Sequence, residues 1–190
     1  IAYVACANLN GSYVAGGPGV IVRINTSTDQ VIDWVESGGR NCIGVTPDPF
    51  RPDWLWVTNA GDYSPGSGFD GNGTVAIWSL SNGSITDIIQ VGDAPYEMAF
   101  GFERAYFSSA ADGLVGRINL NGLQLLSAIE LPDSGQGLNY VSGMSMASDG
   151  RLWVSEFNHD KLYTLDTNQN DALIHEMTVG DGPDAVLVLE

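Results

Sequence analysis

The chain has 190 residues, with 7 Lys and Arg against 23 Asp and Glu, a net charge of −16, and 44% hydrophobic residues. This length and apolar content fit one domain with a full core and argue against wholesale disorder. The acidic balance argues against nucleic-acid and anionic-membrane roles, and no apolar run reaches the roughly 20 residues needed to cross a bilayer.

From the N-terminus, "AYVACAN" at Ala2, "VIVRIN" from Val20 and "VIDWVES" from Val31 are short runs rich in β-branched and aromatic residues. Gly, Asn, Asp and Pro bound them, which is a strand signature. "NCIGVTPD" from Asn41 leads into "LWVTNAG" at Leu55, then "TVAIWSL" from Thr74 and "ITDIIQV" from Ile85. "YEMAFGF" from Tyr96 leads in the same way into "AYFSSAA" at Ala105, "LVGRINL" and "LLSAIEL". "SGMSMASDG" from Ser142 leads into "LWVSEFN" at Leu152, "KLYTLDT" and "LIHEMTV". Tyr3, Trp56, Tyr106 and Trp153 mark one register that recurs about every 50 residues, the period of a four-stranded propeller blade.

The expectation is therefore an all-β, four-bladed β-propeller of four-stranded antiparallel blades, one domain over 1–190, with repeats beginning near 1, 53, 103 and 151. Residues 183–190, "PDAVLVLE", look like an innermost strand with no aromatic strand after it. They are expected to pair with the N-terminal strand, completing the first blade, closing the ring and covering both edges. Pairing with another molecule's first blade would instead build an open chain. Within the innermost strands, Val45 and Met146 are expected to be equivalent, as are Gly44 and Ser145.

The stretch from "LWVTNAGD" to "GDAPYEMAF" resembles the YVTN-type propeller repeat, through Trp56-Val57-Thr58-Asn59 and the crossings Gly92-x-x-Pro95 and Gly180-x-x-Pro183. "RLWVSEFNHDKLYTLDT" is similar to repeats of the NHL, SMP-30/gluconolactonase-like and streptogramin-lyase propellers. The resemblance implies the fold strongly and the function weakly. Lactonase-like propellers hold a divalent cation on oxygen ligands, and the metal activates water or polarises a carbonyl. On that reading Glu97, Glu156 and Asp184 are the candidate ligands and His159 the candidate general base. Asp112 is expected on the same face.

The long loop from Asn59 to Thr74 sets Asp62, Asp70 and Asn72 where the start of a calcium loop would have oxygens. It lacks the later glycine and bidentate glutamate of an EF-hand, so a protruding loop is the first reading. Cys6 and Cys42 fall at strand ends expected on one face, and a disulfide is expected between them. Asn10, Asn25, Asn72 and Asn82 stand in Asn-x-Ser/Thr sequons at turns. With the cysteines they point to a secreted, N-glycosylated chain.

The first functional expectation is a non-catalytic interaction or structural module, without a cofactor, that binds protein partners or itself. A metal-dependent hydrolase, lactonase or lyase using Ca2+ or another divalent ion is the alternative. A further alternative is a carbohydrate- or peptide-binding propeller that uses Tyr63, Phe69, Tyr96 and Phe157.

Overall fold

The computed structural model describes residues 1–12, 14–92, 94–109, 113–132 and 140–189. The chain divides into two compact units, residues 1–96 and 97–190. The first runs through β1 (Ala2–Cys6), β2 (Pro18–Asn25), β3 (Gln30–Arg40), β4 (Cys42–Pro47), β5 (Trp54–Asn59), β6 (Tyr63–Ser64), β7 (Gly68–Phe69), β8 (Gly73–Ser79) and β9 (Ser84–Gly92). The boundary falls within β10 (Pro95–Phe100), and the second unit continues with β11 (Arg104–Ser109), β12 (Leu114–Asn119), β13 (Gln124–Glu130), β14 (Val141–Met146), β15 (Arg151–Glu156), β16 (Lys161–Asp166) and β17 (Ala172–Thr178).

The strands form sheets in the orders β1-β2-β3, β4-β5-β8-β9, β10-β11-β12-β13 and β14-β15-β16-β17, and β6-β7 is a separate hairpin. Three sheets thus have the expected four strands, each with the aromatic-bearing strand second. Period-two alternation sends neighbouring side chains to opposite faces. In the first sheet, Ala5, Ile21 and Val35 make one row and Val4, Val22 and Trp34 the row on the other face. Ile21 is fully buried in a core with Leu55, Val57, Ala76 and Trp78 of the second sheet. Burying one such side chain contributes about 1.5–3 kcal/mol. Tyr3 meets the Trp78 ring edge-on, with centroids 5.5 Å apart, and Arg23 lies over the same ring while bonding Asp33.

The second unit repeats this packing. Tyr106 and Leu131 share one core with Met144, Leu152, Val154 and Tyr163 of the sheet that comes next in the chain.

The structure corrects one expected register. Thr46 lies opposite Trp56 and Ser145 opposite Trp153. Val45 is therefore equivalent to Met144, and Gly44 to Gly143, a displacement of two residues from expectation. The cause is the longer turn before β5. There Asp48 accepts from the backbone N–H groups of Phe50 and Arg51 and from Trp56 Nε1.

β1 is the edge of a three-stranded sheet, and among the described residues no strand comes after β17. Residues 182–188 are held by side chains of their own unit. Asp160 accepts from the Gly182 N–H, the Ser142 hydroxyl donates to the Pro183 carbonyl, and Ser145 Oγ accepts from the Val188 N–H. The segment lies so close over Gly143 that a Cβ there would come within 2.8 Å of the Ala185 Cα.

Candidate functional site

The richest group of expected site residues is the turn from β15 to β16. Glu156 pairs with Lys161 across the two strands, and the chain reverses over the four residues between them. The reversal leaves backbone N–H groups pointing inward, and the buried Glu156 carboxylate collects them. Oε1 accepts from the N–H groups of Tyr140 and Asn158, at 2.9 and 3.1 Å. Oε2 accepts from the His159 N–H at 2.7 Å and contacts His159 Nδ1 at 3.0 Å. An ionised carboxylate only accepts, so Nδ1 carries the proton in this contact. Asp160 comes next at φ 58°, a left-handed conformation that Asp tolerates. Phe157 meets Tyr140 edge-on at 6.1 Å.

Glu97 and Asp184 are the second pair. The Glu97 N–H is bonded to Ser108 Oγ at 2.9 Å. Crowding by surrounding protein atoms, and then the like charge of Asp184, push the Glu97 carboxyl above the ordinary range. The structure therefore couples Glu97 to Asp184 and Glu156 to His159. Asp112 lies outside the described residues.

The Glu156 carboxylate does not fit a lactonase-type cation. A carboxylate has about four lone-pair sites, and Glu156 has four donors on it. Among the described residues, no group of three or more His, Cys, Asp and Glu is placed to hold a metal. The chemistry open to Glu156 and His159 is a hydrogen-bonded dyad whose carboxylate is committed to shaping its own turn.

The Asn59–Thr74 loop uses its oxygens in a similar way. The Asp62 N–H is within hydrogen-bond reach of Asp70 Oδ1 at 3.2 Å and Asn72 Oδ1 at 3.0 Å. The Asp62 carboxylate takes Arg40 Nε at 2.6 Å. Gly61, at φ 88°, makes the approach possible, because a Cβ there would meet Asn72 Oδ1. A guanidinium thus occupies the carboxylate that the calcium reading needs. The hairpin β6-β7 carries Tyr63 and Phe69, edge to face at 5.3 Å.

Cys6 and Cys42, expected as a disulfide, are free thiols in the structure and lie close enough to interact. Cys6 Sγ is turned to the Val4 carbonyl of its own strand, at 3.9 Å. Cys42 is buried beneath Gly19, where a Cβ would fall 2.5 Å from its own Cβ. Burial pushes the Cys42 thiol up to about 11, which keeps it protonated and unreactive at neutral pH. Of the sequon residues, Asn10, Asn72 and Asn82 are exposed and Asn25 is half-buried at the end of β2.

Sequence reasoning missed Asp171. This residue is buried and receives Tyr106 OH at 2.7 Å, Arg104 Nη1 at 3.2 Å and Arg117 Nη1 at 2.5 Å. The available signal was two arginines on apolar strands of a chain with only 7 basic residues. Half-buried guanidinium groups there need a carboxylate.

No protein family matches the chain, and no curated protein does. Solved structures do. The dihydro-heme d1 dehydrogenase NirN in complex with DHE is similar at 14% identity and TM-score 0.67, over 95% of this chain and 35% of that one. Virginiamycin B lyase from Staphylococcus aureus is similar at 16% identity and TM-score 0.67, over 93% and 57%. U3-55K is similar at 11% identity and TM-score 0.64, over 86% and 46%. At these identities the likeness shows the fold alone, which is that of a β-propeller. The chain spans between about a third and just over half of the length of these proteins.

Proposed function

We propose that the chain is a non-catalytic interaction or structural module of the propeller kind, secreted and N-glycosylated. The observation that carries the reading is the saturation of Glu156 by four donors from Tyr140, Asn158 and His159. The residue best placed for acid chemistry thereby serves the shape of a turn. Enzymes and non-enzymes both occur among the similar structures, so the fold leaves the choice to the site. Exposed turn positions for Asn10, Asn72 and Asn82 are compatible with glycans there. The resemblance to YVTN, NHL and SMP-30-like repeats supports the propeller reading and adds no activity.

Elemental analysis of the purified protein, paired with a lactone and ester hydrolysis screen, tests the reading. The expected result is no stoichiometric divalent metal and no turnover. A stoichiometric ion, with turnover abolished in Glu156→Gln, would overturn it. The intact mass of the native protein reads glycan occupancy directly, and an unmodified mass removes the glycosylation half.

A second reading, carbohydrate binding, draws on the Tyr63–Phe69 ring pair carried by the β6-β7 hairpin. Sugars stack on such aromatic surfaces, and a glycan array with a Tyr63→Ala control tests it.

A further inference from the structure

Asn72 differs from the other three sequon residues on both sides. Two positions after it stands Thr74, where Asn10, Asn25 and Asn82 are followed by Ser12, Ser27 and Ser84. Three positions before it stands Phe69, where the others have Ala7, Val22 and Ser79.

The fold turns that spacing into proximity. Tyr63 and Phe69 are opposite each other in the β6-β7 hairpin. The ladder runs on below them, with the Asp62 carbonyl accepting from the Asp70 N–H at 3.1 Å. The Asp62 N–H in turn reaches Asn72 Oδ1 at 3.0 Å. Gly61 leaves room for this approach, since a Cβ there would come within 2.4 Å of Oδ1. A backbone N–H only donates, so the asparagine amide meets it with its oxygen and turns Nδ2 the other way. Asn72 is exposed, and among the described residues Nδ2 has no hydrogen-bond partner. The atom that takes a glycan is therefore held in one orientation, one residue along the ladder from a ring pair. The other sequons offer no such setting. Asn10 Oδ1 is held by the Ser12 and Val14 N–H groups at 2.8 and 3.2 Å, but no aromatic residue stands in the three positions before it. Asn25 is half-buried, and Asn82 follows Ser79, Leu80 and Ser81.

We propose that Asn72 carries an N-linked glycan whose first pyranose ring lies over the Phe69 ring. The C–H groups of a sugar meet the negative face of an aromatic ring, and Tyr63, edge-on to Phe69 at 5.3 Å, supports that ring from the neighbouring strand. The donor is a sugar linked to a lipid phosphate. A bond forms between Asn72 Nδ2 and the anomeric carbon, and the bond from that carbon to the phosphate oxygen breaks. The lipid phosphate leaves with the electron pair, and Nδ2 gives up one of its two protons. The inference rests on the glycosylation half of the proposed function, and it names the sequon and what its sugar touches. It assigns the ring pair to the chain's own sugar, so it competes with the carbohydrate-binding reading for the same side chains.

Glycopeptide mapping of the native protein is the first test. Asn72 is expected to carry sugar in most copies, and in more than Asn10, Asn25 or Asn82. NMR of the glycoprotein is the second. The C–H protons of the first sugar are expected to shift upfield in the Phe69 ring current, and to return to free-glycan positions in Phe69→Ala, which keeps the sequon. The third is urea unfolding of the glycoprotein against the same chain made in a host without N-glycosylation. The glycan is expected to lower the unfolding constant about three- to tenfold in the parent and to have no such effect in Phe69→Ala. Each comparison sets one sequence against itself, so any cost of the substitution cancels. Sugar at other sequons with Asn72 bare overturns the inference and leaves the glycosylation reading standing. So do sugar shifts and a stability gain that are unchanged in Phe69→Ala. A native mass without any sugar removes the glycosylation reading and this inference together.

Discussion

Asp171 and Glu156 are both buried carboxylates of the second unit, and they are satisfied in opposite ways. Asp171 takes its partners from β11 and β12, 54 to 67 residues away in sequence. Two guanidinium groups and a phenol meet it, with side-chain exposure of 25% for Arg104 and 14% for Arg117. Burial, and then the bond to Asp171, holds the Tyr106 hydroxyl well above the tyrosine range, so it stays a donor. Glu156 takes backbone N–H groups, two of them within three residues, and one imidazole. The first carboxylate joins sheets and the second shapes a turn. An acid buried in a cleft is therefore no sign of catalysis until its donors have been counted.

The comparison predicts a ranked set of losses. Asp171→Ala takes a shared acceptor from two half-buried guanidinium groups and a buried hydroxyl. A loss of about 3–5 kcal/mol is expected in urea unfolding, as for breaking a buried ion pair by removing one partner. A loss below the error of the extrapolation would mean the arginines relax to solvent, and the two carboxylates would then not differ in kind. Glu156→Gln keeps the shape but sets an NH2 against N–H donors. A loss of about 1.5–3 kcal/mol is expected, with hydrogen exchange rising locally at Asn158 and His159.

Gly143→Ala tests the neighbouring contact by pushing a methyl into the Ala185 backbone and Ser155 Oγ. The expected cost is about 1–3 kcal/mol, with faster exchange in residues 182–188 and little change in β11 and β12. The smallest effect is electrostatic. Because the Glu97 pKa is raised in the folded state, the folded protein binds that proton more tightly than the unfolded chain. This contribution to stability is complete below the ordinary glutamate range. It is lost as pH rises through that range to the raised folded value. Asp184→Asn removes the repelling charge, so the Glu97 titration tracked by NMR is expected to move down and the loss with pH to shrink. Burial remains, so the shift is expected to be partial.

Much of the fold was legible because strand signals are local. "LWVTN" and "LWVSE" alternate and end at turn residues, and their recurrence marked the repeat without any contact information. The Glu156 turn was half legible: its position marked it as a candidate acid, but the N–H groups that fill it depend on how tightly the chain reverses. Asp171 was not legible, since nothing near "NQNDAL" announces Arg104 or Arg117. The equivalence of Gly44 with Gly143 was misread because a turn two residues longer shifts the register without changing the alternation.

The sequence by itself determined the all-β class, the repeat unit and the residues that alternate into each core, because strand formation and alternation are set by neighbours within a few positions. Only the tertiary structure decided that the last apolar segment lies along β14 without becoming a strand. Its alternatives are almost identical in local terms. What separates them is where Ser142, Ser145, Asp160 and the missing side chain of Gly143 come to stand.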